Sequence, residues 1–505
     1  MKHPLFELSA KQLAEKIRQR ELSVFEVVQN HFNRLLEVNS QINAVCESFM
    51  EASLKKAKEM TEEVYKKNRS DLPPLFGVPF SIKEMIEIQG AHRTGGNVHY
   101  RNFIGKKNAT VVDRMLLAGA IPIATTNVPE LGFWFECTNT IYGTTNNPYD
   151  MRRTAGGSSG GEAALIGSGA SPLGLGSDIG GSIRMPAAFC GIFGLKPSAR
   201  SIPLTGHFPF FDDDFQFLKG PSYAHTTMGP MCRKAEDLEL MFELLCGSDG
   251  TDQETRPKEE ILKNKHFFSV PSFKLNQIDV YFLPDPEIHL ASPVESEVSE
   301  KISQVAQTFL ELGCNIYEFP RRFFVESTLL WGHAVKSTKN KKFKELLSPQ
   351  EEIHFTKEFY KTFRGSGEYT FPALAVAFLE DYLLRKSSSS SEHDLTQDLE
   401  KSLARLELMK TQLSDKLKTN AVLIFPVFPR VAPLHNSTFT RPFDYTYSGI
   451  FTVLGFPSVS IPVGLNAEGL PLSVQIVASP NCDHLLFRFS EILENLFGGW
   501  IQPKK

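Results

Sequence analysis

Apolar residues recur along the chain with two periods, and the change from one to the other marks out its elements. Near the N-terminus Leu13, Ile17, Val24, Val27 and Val28 return at helical spacing between charged positions, the stripe of an amphipathic helix. Residues 1–68 therefore predict helices, ending in the lysine-rich "ASLKKAKEMTEEVYKKN". "LPPLFGVPFSIKE" (72–84) turns through two prolines into a short apolar strand that ends at Lys83. "TVVDRMLLAGAIPIATT" (110–126) predicts a helix and then a buried strand. Further on, "SPLGLGSDIGGS" (171–182) reads as strand then loop, "PAAFCGIFGLKPS" (186–198) as a short helix and turn, and residues 235–247 as a well-patterned helix. Between 250 and 420 the pattern thins to the strand-like "QIDVYFL" (277–283) among Lys- and Glu-rich helices, with the serine run 387–391 as a surface loop. "EYTFPALAVAFLEDYLL" (368–384) fits a buried helix, or a face that walls a channel or touches a bilayer. Three buried strands (420–429, 456–465 and 470–479) and a last helix (483–497) close the chain. The expected class is α/β, one large domain with a variable middle insertion. Its parts are the N-terminal helices 1–68, a core 69–247, the middle region 248–420 and the closing strands and helix 421–505.

Composition narrows the function without naming it. The 505 residues are 41% hydrophobic and 22% charged with a net charge of −4, ordinary values for a globular chain. No long basic tract argues for nucleic acid. Seven cysteines, odd in number and without CxxC spacing, argue against a disulfide framework or structural zinc and for a reducing compartment. The N-terminal stretch has no apolar run long enough for a signal peptide or membrane span, so a cytoplasmic location is expected. Peripheral membrane contact and a homodimer stay open. Phenylalanine is abundant, 40 against 12 Tyr and 3 Trp. It fits an aromatic core, and beyond that an apolar substrate channel.

The candidate chemistry lies in "GGSSGGEAALIGSGASPLGLGSDIGGSIR" (156–184). A flexible linker would not be interrupted by buried-looking "EAALIG" and "PLGLG". A phosphate loop would need GxxxxGK[ST], which is absent, and "GLGSDIG" sets its third glycine one residue too far for a dinucleotide fingerprint. "GSSGG" (157–161) matches GxSxG with Ser159 at its centre, and His435 and His484 are the later histidines a serine–histidine pair would use. That elbow needs a strand directly before it, where "NNPYDMRRTA" reads as turn-like and polar. In "SDIGGSIR" the glycines let backbone N–H groups around Ile179, Gly180 and Gly181 converge beside Ser182, the way an oxyanion hole is built. Such a serine needs a base. A desolvated lysine can serve, and Lys83 ends an apolar strand, although taken alone it reads as a strand-end charge.

The stretch 156–198, "GVPFSIKE" (77–84) and "LGFPSVSIPVGLNAEGLPLSVQIVA" (454–478) together resemble the amidase signature family. The resemblance implies that family's fold, a large mixed β-sheet sandwiched by helices, and an amide hydrolase needing no cofactor or metal. It implies Ser182 as acyl-enzyme nucleophile, Ser158 as a bridging serine on a cis peptide bond and Lys83 as base. The N–H groups of Ile179, Gly180, Gly181 and Ser182 would hold the oxyanion. Phe133, in "LGFWFECTN", falls where lipid-amide-hydrolysing members line the acyl pocket, with Gly132 beside it. Asp178 and Arg184 read as supports of the loop. The expected substrate is a small amide with an apolar acyl chain. The alternative is the glutaminase subunit of a tRNA-dependent amidotransferase, which carries the same motifs, and an inert binding protein on the scaffold is a third reading.

Overall fold

Strands apolar on both faces need helices on both sides, and an eleven-stranded sheet so covered organises the chain. The computed structural model describes residues 4–209, 225–263, 275–336, 342–387 and 392–504. We number the sheet strands β1 (Val45–Ser48), β2 (Pro79–Lys83), β3 (Ile121–Thr126), β4 (Leu173–Asp178), β5 (Phe193–Lys196) and β6 (Thr227–Cys232). The remainder are β7 (Asp279–Phe282), β8 (Asn315–Glu318), β9 (Ala421–Pro426), β10 (Ser458–Leu465) and β11 (Pro471–Ala478). Their spatial order is β1-β3-β2-β4-β6-β5-β10-β11-β9-β7-β8. β2 runs parallel to both β3 and β4, and β7 parallel to both β8 and β9. The other pairings are antiparallel, so the sheet is mixed.

The two-residue strand period shows how the faces divide. On β9, Val422 and Ile424 enter the larger core with Val459, Ile461, Val474 and Ile476. Ala421, Leu423 and Phe425 enter a second core with Phe324, Tyr447 and Phe451 on the opposite face. The N-terminal stripe behaves as its spacing predicts. Leu13, Ile17, Val24, Val27 and Val28 are all buried, on helices Ala10–Arg18 and Val24–Ile42. Ser9 and Ser23 cap these helices, accepting the N–H of Gln12 at 2.9 Å and of Glu26 at 3.0 Å.

Four sheet strands have no clear pattern in the sequence. β1 and β8 are the sheet's edges, four residues each, and their side chains are half-exposed or exposed, so no apolar run marks them. β5 follows the helix Arg184–Phe189 where a turn was expected. β6 carries Gly229 and Pro230 in its interior. It tolerates the proline because its pairing with β5 begins only at Met231, so on that side Pro230 faces no ladder partner. Of the serine run, Ser387 ends the helix Phe371–Ser387, and 388–391 lie outside the described residues. That helix is two-sided: Ala373, Leu374 and Ala377 are buried, while Phe371, Phe378, Leu379 and Tyr382 are exposed. Among the described residues, no helix is long and apolar enough to cross a membrane.

Candidate active site

Parallel strands deliver their C-terminal ends to one edge of a sheet, where ligands of open α/β sheets gather. β2 ends at Lys83 and its parallel neighbour β4 ends at Asp178. The ammonium-bearing side chain and the glycine-rich loop therefore meet although 94 residues separate Lys83 from Ser177. Ser158 arrives from the turn just before the helix Gly160–Gly167, across a cis Gly157–Ser158 peptide, the isomer the resemblance implied. Lys83 Nζ lies 2.7 Å from Ser158 Oγ, 2.9 Å from Ser177 Oγ and 3.4 Å from the Ser177 carbonyl.

Burial lowers Lys83 to about 7, against the pull of Asp178 and Glu162, which favour its charge. Glu162 pulls weakly because burial pushes its own carboxyl up to about 8. The hydroxyls of Ser81 and Thr126 bind Glu162, the latter at 2.6 Å. Gly174 on β4 leaves room for this: a Cβ there would collide with the Glu162 carboxyl. Lys83 is thus held where it can exchange a proton near neutrality.

The loop after β4 is pinned from below. Burial works against the Asp178 charge, but Arg184 outweighs it and holds the carboxyl down to about 2. Arg184 Nε and Nη2 donate to Asp178 at 2.9 and 2.8 Å, and its Nη1 reaches the Ser448 carbonyl at 2.8 Å and Gln475 Oε1 at 2.6 Å. The expected supporting role of this pair is visible as geometry. The N–H groups of Gly181 and Ile183 also go to Asp178, at 2.8 and 3.1 Å. Gly181 therefore departs from expectation: its N–H is spent on a buried carboxylate. Gly181 instead supplies shape, with φ +106° and a position where a Cβ would meet Ser448 Cβ at 2.6 Å. Ser182 is nearly buried, and its carbonyl accepts the N–H of Ser159 at 3.1 Å, which ties the two serine-bearing segments together.

Two aromatic residues outside the glycine stretch stand over this loop. Trp331 Nε1 donates to the Ile179 carbonyl at 3.2 Å, and its ring packs edge-on against Tyr445 with centroids 4.7 Å apart. A Cβ on Gly180 would touch both rings, at 3.4 Å for Tyr445 and 3.5 Å for Trp331. Ser177, His207, Trp331 and Tyr445 were not foreseen. Ser177 sits inside the motif with no feature of its own to mark it, whereas the others lie further along the chain with no spacing to link them.

Gly132 and Phe133 occupy the turn on the other side of Ser158. Gly132 has φ +69°, and its Cβ position is 3.6 Å from Ser158 Oγ. Phe133 packs on Phe343 with centroids 4.8 Å apart and faces a cavity of about 260 Å3 walled by Trp134, Tyr369, Phe371, Pro372 and Phe439. Its walls include neither Ser158 nor Ser182, nor Gly132 itself. The Glu130 carboxylate fixes the turn by accepting Thr370 N at 2.7 Å, Thr370 Oγ1 at 2.9 Å and Asn97 Nδ2 at 2.9 Å.

The GxSxG alternative loses its partners. A strand, Asp150–Thr154, does precede Ser159, correcting the turn expected there, but it belongs to a two-stranded hairpin outside the main sheet. Ser159 Oγ faces the backbone of Ser177 at 3.4 Å. His435 lies 3.9 Å from Glu136, and His484 packs edge-on to Phe242 and Phe487.

Comparison with known proteins agrees with this architecture. The family model "Amidase" matches residues 26–487. Fatty-acid amide hydrolase 2 from Homo sapiens is 35% identical, covering 99% of this chain and 91% of the relative. The A-type subunit of glutamyl-tRNA(Gln) amidotransferase from Fusobacterium nucleatum is 27% identical, covering 99% of each. The structure of 6-aminohexanoate cyclic dimer hydrolase superposes with a TM-score of 0.77 at 21% identity over 99% of both chains, a likeness of fold. A mixed sheet between helices, a lysine and serines gathered at its edge and a family match over most of the length lead to one conclusion: the chain belongs to the amidase signature family and is an amide-hydrolysing enzyme.

Proposed function

We propose that this enzyme cleaves carboxylic amides with an apolar acyl chain through an acyl-serine at Ser182, with Ser158 as proton bridge and Lys83 as base. The observation that carries the reading is the 2.7 Å contact between Lys83 Nζ and Ser158 Oγ in a buried pocket that lowers the lysine to about 7. Neutral Lys83 takes the Ser158 hydroxyl proton as Ser158 takes that of Ser182, whose Oγ bonds to the amide carbonyl carbon. The carbonyl oxygen becomes an oxyanion held by the N–H groups of Ile179, Gly180 and Ser182. The C–N bond then breaks as the proton returns through Ser158 to the departing nitrogen. Water repeats the sequence on the ester, releasing the acid and restoring Ser182.

The acyl preference is supported by the cavity at Phe133, whose sequence neighbour Gly132 lies beside Ser158, and by the 35% identity to fatty-acid amide hydrolase 2. The amidotransferase likeness supports the second reading, glutamine hydrolysis within a larger assembly. Hydrolysis of one fixed headgroup across acyl lengths from acetyl to oleoyl separates them. The first reading expects rates that climb with length and vanish in Ser182→Ala and Lys83→Ala. Glutamine turnover that depends on a partner protein, without turnover of long-chain amides, replaces it with the second.

A further inference from the structure

One chain of hydrogen bonds at Lys83 leads away from the proton path. Ser177 Oγ stands 2.9 Å from Lys83 Nζ and 2.7 Å from His207 Nε2, and all three side chains are buried. His207 reaches this place because the backbone clips residues 204–208 to those just beyond Lys83. His207 bridges to Ile86, its N–H binds the Leu204 carbonyl at 2.9 Å and the Phe208 N–H binds the Met85 carbonyl at 2.9 Å.

A neutral amine carries two N–H bonds and one lone pair, and a base must point the lone pair at the proton it takes. Lys83 has three polar neighbours: Ser158 Oγ, Ser177 Oγ and the Ser177 carbonyl. The carbonyl only accepts. A hydroxyl can do either. If Ser177 donated to Lys83 it would occupy the lone pair that Ser158 needs. If it accepts, both N–H bonds are spent on Ser177 and the lone pair is left for Ser158. The destination of the Ser177 proton decides between the two. Burial, with Lys83 nearby, keeps the His207 ring neutral, so one ring nitrogen carries the hydrogen. With Lys83 donating to it, the Ser177 hydroxyl turns its proton to its other neighbour, His207 Nε2 at 2.7 Å, which accepts in the tautomer that carries the ring hydrogen on Nδ1.

We propose that His207 is a positioning residue for amide cleavage: its Nε2 accepts the Ser177 hydroxyl proton, which makes Ser177 Oγ an acceptor for Lys83 and leaves the Lys83 lone pair for Ser158. This rests on the reading of Lys83 as base and Ser182 as nucleophile.

The test is the rate of phosphonylation by a fluorophosphonate probe in the full chain, for wild type, Ser182→Ala, His207→Leu, Ser177→Ala and the double variant His207→Leu/Ser177→Ala. Labelling of wild type that is lost in Ser182→Ala checks the nucleophile separately, so its failure is told apart from failure of the relay. The relay predicts that each single variant labels about tenfold more slowly. The double variant should be no slower than the slower single, because both break one chain. His207→Gln, which keeps a side-chain acceptor, should recover part of the loss. Wild-type labelling in His207→Leu, or losses that multiply in the double variant, overturn the proposal. Should His207→Leu fail to fold, Ser177→Ala decides alone: labelling at the wild-type rate overturns it.

Discussion

A lysine accepts a proton at neutral pH only where water no longer stabilises its charge, and Lys83 owes its low value to burial at a strand end. The base form is the deprotonated one, so it is depleted as pH falls below about 7. Acylation of Ser182 should therefore slow by about tenfold per pH unit on the acid side and level off above neutrality. A profile flat across that range would remove Lys83 from the role. Trp331 offers a second test on the scale of one atom. In a trans peptide the C=O and N–H point in opposite directions, so the indole N–H on the Ile179 carbonyl fixes the direction of the Gly180 N–H, the group proposed to hold the oxyanion. Trp331→Phe keeps a ring over Gly180 and loses that bond. Its kcat should drop severalfold, in keeping with a hydrogen bond worth about 0.5–1.5 kcal/mol, while KM changes little. An unchanged kcat would assign Trp331 to packing alone.

At the scale of elements, the loop Asp178–Arg184 works because both ends of one ion pair lie inside it. Arg184 and Asp178 are buried, and Gly181 and Ile183 N–H groups share the same carboxylate. Arg184→Met would strand that charge, a change that costs about 3–5 kcal/mol and is read as a lower midpoint in urea unfolding. Gly181→Ala should also abolish probe labelling, since its φ is positive and its Cβ would strike Ser448. Labelling at the wild-type rate in Gly181→Ala would contradict the close packing of this loop. How much of this was legible depends on where each element gets its stability. The N-terminal helices announce themselves by a helical period, and β2, β3, β4 and β9–β11, buried on both faces, by short runs between turn residues. The edge strands β1 and β8 bury too little to leave one, and β6 hides behind Gly229 and Pro230. The proposed Lys83, Ser158 and Ser182 were legible only through the family motifs, and the hydrogen bond of Gly181 only in three dimensions. The N–H of Gly181 is taken by a side chain whose direction no local pattern encodes. His207 and Trp331 come from a loop clipped to Met85 and Ile86 and from the helix Ser327–Lys336, contacts that no local pattern encodes.

On the scale of the molecule, the proposed site lies at the C-terminal ends of β2 and β4, and the middle region reaches the turn beside it. Glu130, in the turn beside Ser158, accepts from Thr370 just ahead of the helix Phe371–Ser387, while Phe133, Phe371 and Phe439 wall one cavity. Acyl selection on this account is a property of two distant segments closing around Phe133. Phe133→Ala should then lower kcat/KM for oleoyl amides while leaving acetyl amides nearly unchanged, and equal losses on both would argue against the cavity as the acyl site. Phenylalanine fills core at Phe324, Phe425 and Phe451, while Phe133 and Phe371 face the cavity proposed as the acyl site. The most direct test of the central claim is to quench turnover of a long-chain amide and map the covalently bound acyl group by peptide mass spectrometry. The account predicts one acyl adduct on Ser182, absent in Ser182→Ala and much reduced in Lys83→Ala. An adduct on Ser159, or turnover that survives in Ser182→Ala, would contradict it.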